Sequence, residues 1–155
     1  MITAARLAKL GLTLPPVAAP VASYVPAVRA GDLVWTSGQL PIVDGAIVQT
    51  GKVGSGAGLV SPERAAELAR ICALNALAAV AAQVGSLDRV TRIVKVVGFV
   101  ASAPGFTGQP QVVNGASGLL GDVFAERGAH ARSAVGVSEL PLDSPVEIEL
   151  VAQIH

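Results

Sequence analysis

Residues 90–101 read VTRIVKVVGFVA, and this stretch decides the architecture. Its density of β-branched residues marks a strand. Strict alternation puts Val90, Val94, Val96 and Val100 on one face and Ile93, Val97 and Phe99 on the other. A strand apolar on both faces is covered on both faces. Upstream, Ser61-Pro62-Glu63 opens a helix, with serine at the N-cap, proline at the first helical position and an acid in the first turn. That helix runs to about Val84 and stops at Gly85, with Leu68, Ile71, Cys72, Ala79 and Ala82 in one packed stripe. Downstream, after a loop over 102–109, residues 111–126 read as a second long helix. Two helices cover one face of the strand. The chain has no spare elements for the other face, which points to self-association.

Further out, residues 132–137 and 146–154 read as two last strands, joined across 140–145. On the N-terminal side, strands over 24–30 and 33–40 flank a tight turn at Gly31-Asp32. Asp44-Gly45 is a second turn signal, followed by a short strand over 46–50. Residues 51–59 form a glycine-rich loop, residues 2–10 a short helix stopped by Gly11, and residues 14–22 a proline-rich extended arm. The order predicts one α+β domain over 1–155, with a helix and arm over 1–23 and the long helices on one face of a mixed or antiparallel sheet.

Composition narrows the function. Hydrophobic residues make up 52% of the 155 and charged residues 14%, low against about 25% in soluble domains. So little charge covers a small surface poorly, and burial against copies of the chain is the simplest remedy. The formal net charge is zero and aromatics are 3%, which argues against nucleic-acid binding. No membrane span is expected. The uncharged run 71–87 carries Asn75, Gln83 and Gly85, and 96–121 is broken by Pro104 and Pro110. Arg6 and Lys9 precede an apolar run cut by Pro15, Pro16 and Pro20, unlike a signal peptide, so a cytoplasmic setting is expected. The lone Cys72 excludes an intrachain disulfide and reads as a small buried hydrophobe.

Most candidate motifs fail on spacing. Residues 51–56, GKVGSG, lack the Walker pattern, and Ser37 sits outside a nucleophile elbow. No His, Cys or carboxylate pair has metal spacing, so no metal is expected. Asn75 reads as a buried structural hydrogen-bonder. The last strands carry more. With Val135, Val137, Ile148 and Leu150 toward the helices, Arg132, Glu147 and Glu149 share the opposite face. Small Ala134 and Gly136 leave room beside Arg132. A guanidinium there grips a carboxylate through two parallel hydrogen bonds, or pairs with a glutamate across a subunit boundary. The two readings stand equal on physics alone. In a simple hairpin Arg132 lies about 13 Å up the sheet from Glu147. The two then meet on one ligand through a bulge, another register or, the favoured case, a subunit boundary. His130 is an acid–base candidate set against the commoner role of a loop histidine.

These pieces resemble the reactive intermediate deaminase family (RidA, or YjgF-like, also labelled endoribonuclease L-PSP). The matching segments are Tyr24, then Leu33-Val34-Trp35-Thr36-Ser37-Gly38-Gln39, then Ala131-Arg132-Ser133-Ala134-Val135, Leu140-Pro141 and Val146-Glu147-Ile148-Glu149. The resemblance implies a chorismate-mutase-like α+β fold and a homotrimer whose sheets form a central barrel, with sites at subunit interfaces. It also implies cofactor-free hydrolysis of enamines or imines such as 2-aminoacrylate to a 2-keto acid and ammonia. On that pattern Arg132 clamps the substrate carboxylate and Glu147 orients or activates water. Tyr24, Ser37, Gly38 and Ala134 line the cleft, and Asn114 stands for an asparagine early in the second helix. Typical members carry a glutamate four residues after the arginine, where this chain has Gly136. The arm before Tyr24 is longer and the segment 102–113 atypical, as in a divergent branch. A trimer that binds a small carboxylate without turnover is the alternative, and neutral charge argues against a ribonuclease.

Overall fold

A computed structural model describes residues 2–20 and 22–155. A short helix, α1 (Ile2–Lys9), precedes the hairpin β1 (Ala27–Ala30) and β2 (Leu33–Thr36), whose two-residue turn is Gly31-Asp32. A second, two-stranded ribbon joins β3 (Ile42–Val43) to β4 (Ala46–Ile47). Its turn residues Asp44 and Gly45 both have positive φ, as the tightest hairpin turns require. There follow α2 (Pro62–Val84), β5 (Val90–Ala101), α3 (Gln109–Phe124), β6 (Ala131–Val137) and β7 (Val146–Ile154). The Ser61 hydroxyl caps α2 by accepting from the Arg64 N–H, as the sequence predicts. The second long helix starts two residues earlier than expected, because Pro110 fits the first turn of α3, where no intrahelical N–H is needed.

The sheet is mixed, in the order β1-β2-β7-β5-β6. Only β5 and β6 are parallel, because α3 carries the chain back across the sheet between them. This corrects the hairpin expected of the last two strands: β7 enters the sheet between β2 and β5, and β6 is left on the edge. A second correction concerns β5. Two register shifts, at 90–92 and 93–95, break its alternation. Ile93 therefore turns to the helices with Val90 and Val96, all fully buried, while Val94 is 37% exposed.

Both long helices pack on one face of the sheet. The core forms from Leu68, Cys72, Leu77 and Val80 of α2, Val113, Leu119, Leu120 and Val123 of α3, and Ile93, Val96, Ile148 and Leu150 of the sheet. Cys72 is buried, and Asn75 donates to the Leu40 and Ile42 carbonyls, tying α2 to the β3 ribbon. Helix α2 is long and apolar enough to cross a membrane, but 61% of its most apolar 18-residue window is buried inside the fold, as in a core helix. The opposite sheet face carries Val28, Trp35, Val97, Phe99 and Val135 with Lys95, Ser133, Glu147 and Glu149. Trp35 and Val135 on it are 52% and 43% exposed.

Candidate functional site

The candidate residues fall into two groups on opposite sides of the sheet. Arg132, Ala134 and Gly136 lie beside Val96, Gly98 and Val100 of β5 and therefore share the helix side. The expected common face for Arg132 and the two glutamates is thus wrong. It assumed that Val135 and Val137 face the helices, but parallel pairing with β5 puts them on the open side. Arg132 reaches up from the edge strand to α3. Its Nη1 donates to Asn114 Oδ1 at 2.7 Å and to Ser117 Oγ at 3.2 Å, and its Nη2 donates to the Pro110 carbonyl at 3.3 Å. No carboxylate pairs with it within the chain among the described residues. Asn114 and Ser117 are one helical turn apart, a polar pair beside the apolar stripe Val112, Val113, Ala116, Leu119.

His130 lies next to this group. Its Nδ1 is 2.6 Å from the Gly128 carbonyl and its Nε2 is 2.9 Å from Ser117 Oγ. Ser117 was not singled out from the sequence: its one-turn spacing from Asn114 marks a polar pair on α3 but not what that pair holds. Further along the same row, Gly136 makes room for two side chains. A Cβ there would lie 2.8 Å from Gln109 Nε2 and 2.9 Å from Ser102 Oγ. Gln109 Nε2 donates to Ser102 Oγ and to the Phe106 carbonyl. A neutral amide and a hydroxyl thus fill the neighbourhood of Gly136, the position to which the resemblance assigns a glutamate.

The second group surrounds Glu147. Its carboxylate lies against Gly38, where an added Cβ would be 1.8 Å from Oε1. Gly38 is held in place because its neighbours are tied to the sheet: Ser37 N–H donates to the Pro26 carbonyl, and Gln39 exchanges two backbone bonds with Ile148. The Ser37 hydroxyl donates to the Val25 carbonyl at 2.6 Å. Tyr24 and Gly38, with Pro20, Pro26 and Leu40, line a small cavity of about 20 Å³. Burial raises the Glu147 pKa above the usual carboxylate value, and the charge of Glu149 adds to the rise. Burial alone raises Glu149.

The register sets the separation of the groups. Arg132 pairs with Val96 and Glu147 with Phe99, three residues along β5 and one strand to either side. Their Cα positions are therefore about 14 Å apart, and the side chains leave opposite faces. Within one chain no small ligand touches both.

The chain matches, over residues 4–154, the family described as "YjgF/chorismate_mutase-like, putative endoribonuclease". Protein TCP17 of Trypanosoma cruzi is 43% identical over 98% of this chain and 94% of its own length. The crystal structure of Atu1372 from Agrobacterium tumefaciens is also 43% identical, with a TM-score of 0.89 over 99% of this chain and 93% of that one. Escherichia coli TdcF, solved with bound serine, is 26% identical, with a TM-score of 0.60 over 92% and 96%. With its mixed sheet, paired helices and nearly full-length match, the chain belongs to the YjgF/chorismate-mutase-like (RidA) family, as a divergent branch of it.

Proposed function

We propose that this protein is a cofactor-independent deaminase that hydrolyses enamine or imine intermediates of the 2-aminoacrylate type. The single observation that carries the reading is Arg132: a guanidinium held by neutral acceptors from one side, with no carboxylate to pair with among the described residues of its own chain. Such a group retains donors for the two oxygens of a small organic acid. TdcF, solved with a bound amino acid, supports a carboxylate ligand in this fold.

On this reading the active assembly is a homotrimer. The open sheet face packs against copies, and the Arg132 group of one chain meets the Glu147 group of the next. This arrangement reconciles the roughly 14 Å separation with one shared ligand. Arg132 clamps the carboxylate, with Asn114 and Ala134 beside it. Tyr24, Ser37 and Gly38 line the other wall. Glu147 takes a proton from water as the water oxygen attacks the imine carbon, and passes it to the nitrogen. The hydroxyl of the resulting carbinolamine then gives its proton through Glu147 to the same nitrogen, and ammonia leaves as the C=O bond of the 2-keto acid forms. An imine is already electrophilic, so positioning and one polarised water suffice. A lone buried thiol fits a cytoplasmic setting.

The direct test adds purified protein to a dehydratase generating 2-aminoacrylate. Pyruvate release should accelerate, and no acceleration over buffer across several amino-acid substrates rules the activity out. Binding without turnover is the second reading, favoured by Gly136 and its neutral neighbours Gln109 and Ser102. Calorimetry showing pyruvate binding in a protein that gives no acceleration would establish it.

Two further outcomes follow. Glu147 acts only when ionised, so its raised pKa should place the acid limb of kcat/KM above the ordinary carboxylate range. Glu149→Gln removes the repelling charge, lowers the Glu147 pKa and moves that limb to lower pH; a limb that stays put in the variant excludes Glu147 as the titrating base. Gly38→Ala should fold normally, because the three atoms nearest an added Cβ all belong to the Glu147 side chain, which can swing aside. It should nevertheless reduce kcat by about tenfold or more by displacing that carboxylate. Matched thermal melts with unchanged kcat would show that Glu147 placement does not matter.

A further inference from the structure

Arg132 does not rest on α3 alone. It ends a chain of hydrogen bonds whose direction is dictated by its far end. The Gly128 carbonyl only accepts, so the His130 nitrogen 2.6 Å away, Nδ1, carries a proton and donates it. In the neutral ring Nε2 is then an acceptor. The Ser117 hydroxyl, 2.9 Å from it, has one proton and gives it to that nitrogen. What Ser117 turns toward Arg132 is therefore a lone pair, 3.2 Å from the Nη1 that donates to it. Donation runs one way, from Arg132 to Ser117 to His130 to the Gly128 carbonyl. Both imidazole nitrogens are engaged, so a substrate proton reaches the ring only through the Ser117 hydroxyl.

Arginine at a sheet edge is long and rotamer-rich, and a ligand that had to immobilise it would bind more weakly. Here Asn114 Oδ1, Ser117 Oγ and the Pro110 carbonyl fix the fork before any ligand arrives. Asn114 is half of this hold. Ser117 is the other half, and its hydroxyl is oriented from behind by His130. We propose that Ser117 and His130 are positioning residues that hold the Arg132 guanidinium ready for the substrate carboxylate, and that His130 is not the acid–base group. The proposal rests on Arg132 being the carboxylate clamp.

Two measurements on the full chain test it: pyruvate affinity by calorimetry, and kcat and KM for 2-aminoacrylate. The proteins are wild type, Arg132→Ala, Ser117→Ala, His130→Ala and His130→Gln. Loss of one oriented bond to a charged group corresponds to about a tenfold effect. Ser117→Ala and His130→Ala should each raise the pyruvate Kd and the KM about tenfold, with kcat within about twofold. Glutamine keeps the pattern without a titrating group: its amide nitrogen donates to Gly128 and its oxygen accepts from Ser117. His130→Gln should return both constants toward wild type.

Unchanged affinity and KM in Ser117→Ala and His130→Ala would overturn the positioning role. So would a kcat that falls by far more than about twofold in both His130→Ala and His130→Gln, which would instead show that the ring handles a proton. If wild type binds pyruvate, Arg132→Ala does not, and the other variants match wild type, only this proposal falls. If wild type binds no 2-keto acid and has no turnover, the clamp reading falls and takes this one with it.

Discussion

Replacing Arg132 with alanine is expected to lower kcat/KM for 2-aminoacrylate hydrolysis by about 10²–10⁴-fold. Two hydrogen bonds to a charged group contribute about 1.5–3 kcal/mol each, and both vanish together. Pyruvate binding should be lost in parallel, because the same fork holds substrate and product. The fold should survive. Arg132 is only half-buried on an edge strand, and its partners Asn114 and Pro110 can turn to water, so stability should change by no more than about 0.5 kcal/mol. Lysine should rescue little. Its ammonium is a point charge and cannot contact Asn114, Ser117 and the Pro110 carbonyl while presenting two parallel donors outward. Steady-state kinetics beside thermal melts decide the matter. Wild-type turnover in Arg132→Ala would remove the clamp, and a large fall in melting temperature would show a structural residue instead.

The second large effect concerns folding. Gly115→Ala should destabilise the protein by about 2 kcal/mol or more, at the upper end of overpacking costs. A Cβ at 115 would lie 1.8 Å from the Ala66 carbonyl oxygen and 2.6 Å from its carbon. Both are backbone atoms of α2, so no side chain can swing aside, and the two long helices must separate or tilt. Alanine's better helix propensity, worth about 1 kcal/mol over glycine, opposes the clash and is outweighed by it. Gly118, three residues on, is the control. Nothing lies within 4 Å of its added Cβ, so Gly118→Ala should gain about 0.5–1 kcal/mol. Denaturant midpoints at constant slope should move in opposite directions. A Gly115→Ala midpoint at or above wild type would contradict the close approach of α2 and α3.

That approach also explains which parts of the fold were legible. The Ser61 cap and the Gly31-Asp32 and Asp44-Gly45 turns are local signals, and each appears where its chemistry places it. Of the expected α2 stripe, Leu68, Cys72 and Ala79 are buried, but Ile71 is only partly buried and Ala82 is exposed. The strand over 90–101 was legible as a strand but not in its faces, because its register shifts arise from pairing with β7 and leave no mark in composition. The candidate site shows the same division. Arg132 and Glu147 stood out as residue types in a recognisable order. Ser117 did not, since a serine inside a helix has no meaning until a neighbouring strand brings Arg132 and His130 to it.

By itself the sequence determined two long helices, the strands with their turns, a composition sparse in charge, and an arginine and a glutamate in recognisable order. These depend on periods of two and 3.6 and on contacts only a few residues apart. Only the tertiary structure decided that β7 enters the sheet between β2 and β5, that β6 runs parallel to β5 at the edge, and hence that Arg132 and Glu147 leave opposite faces. The face a side chain takes follows from which strand pairs with which and in what register. A shift of one residue reverses it, and that choice is made by packing across the whole sheet rather than by any local run of residues.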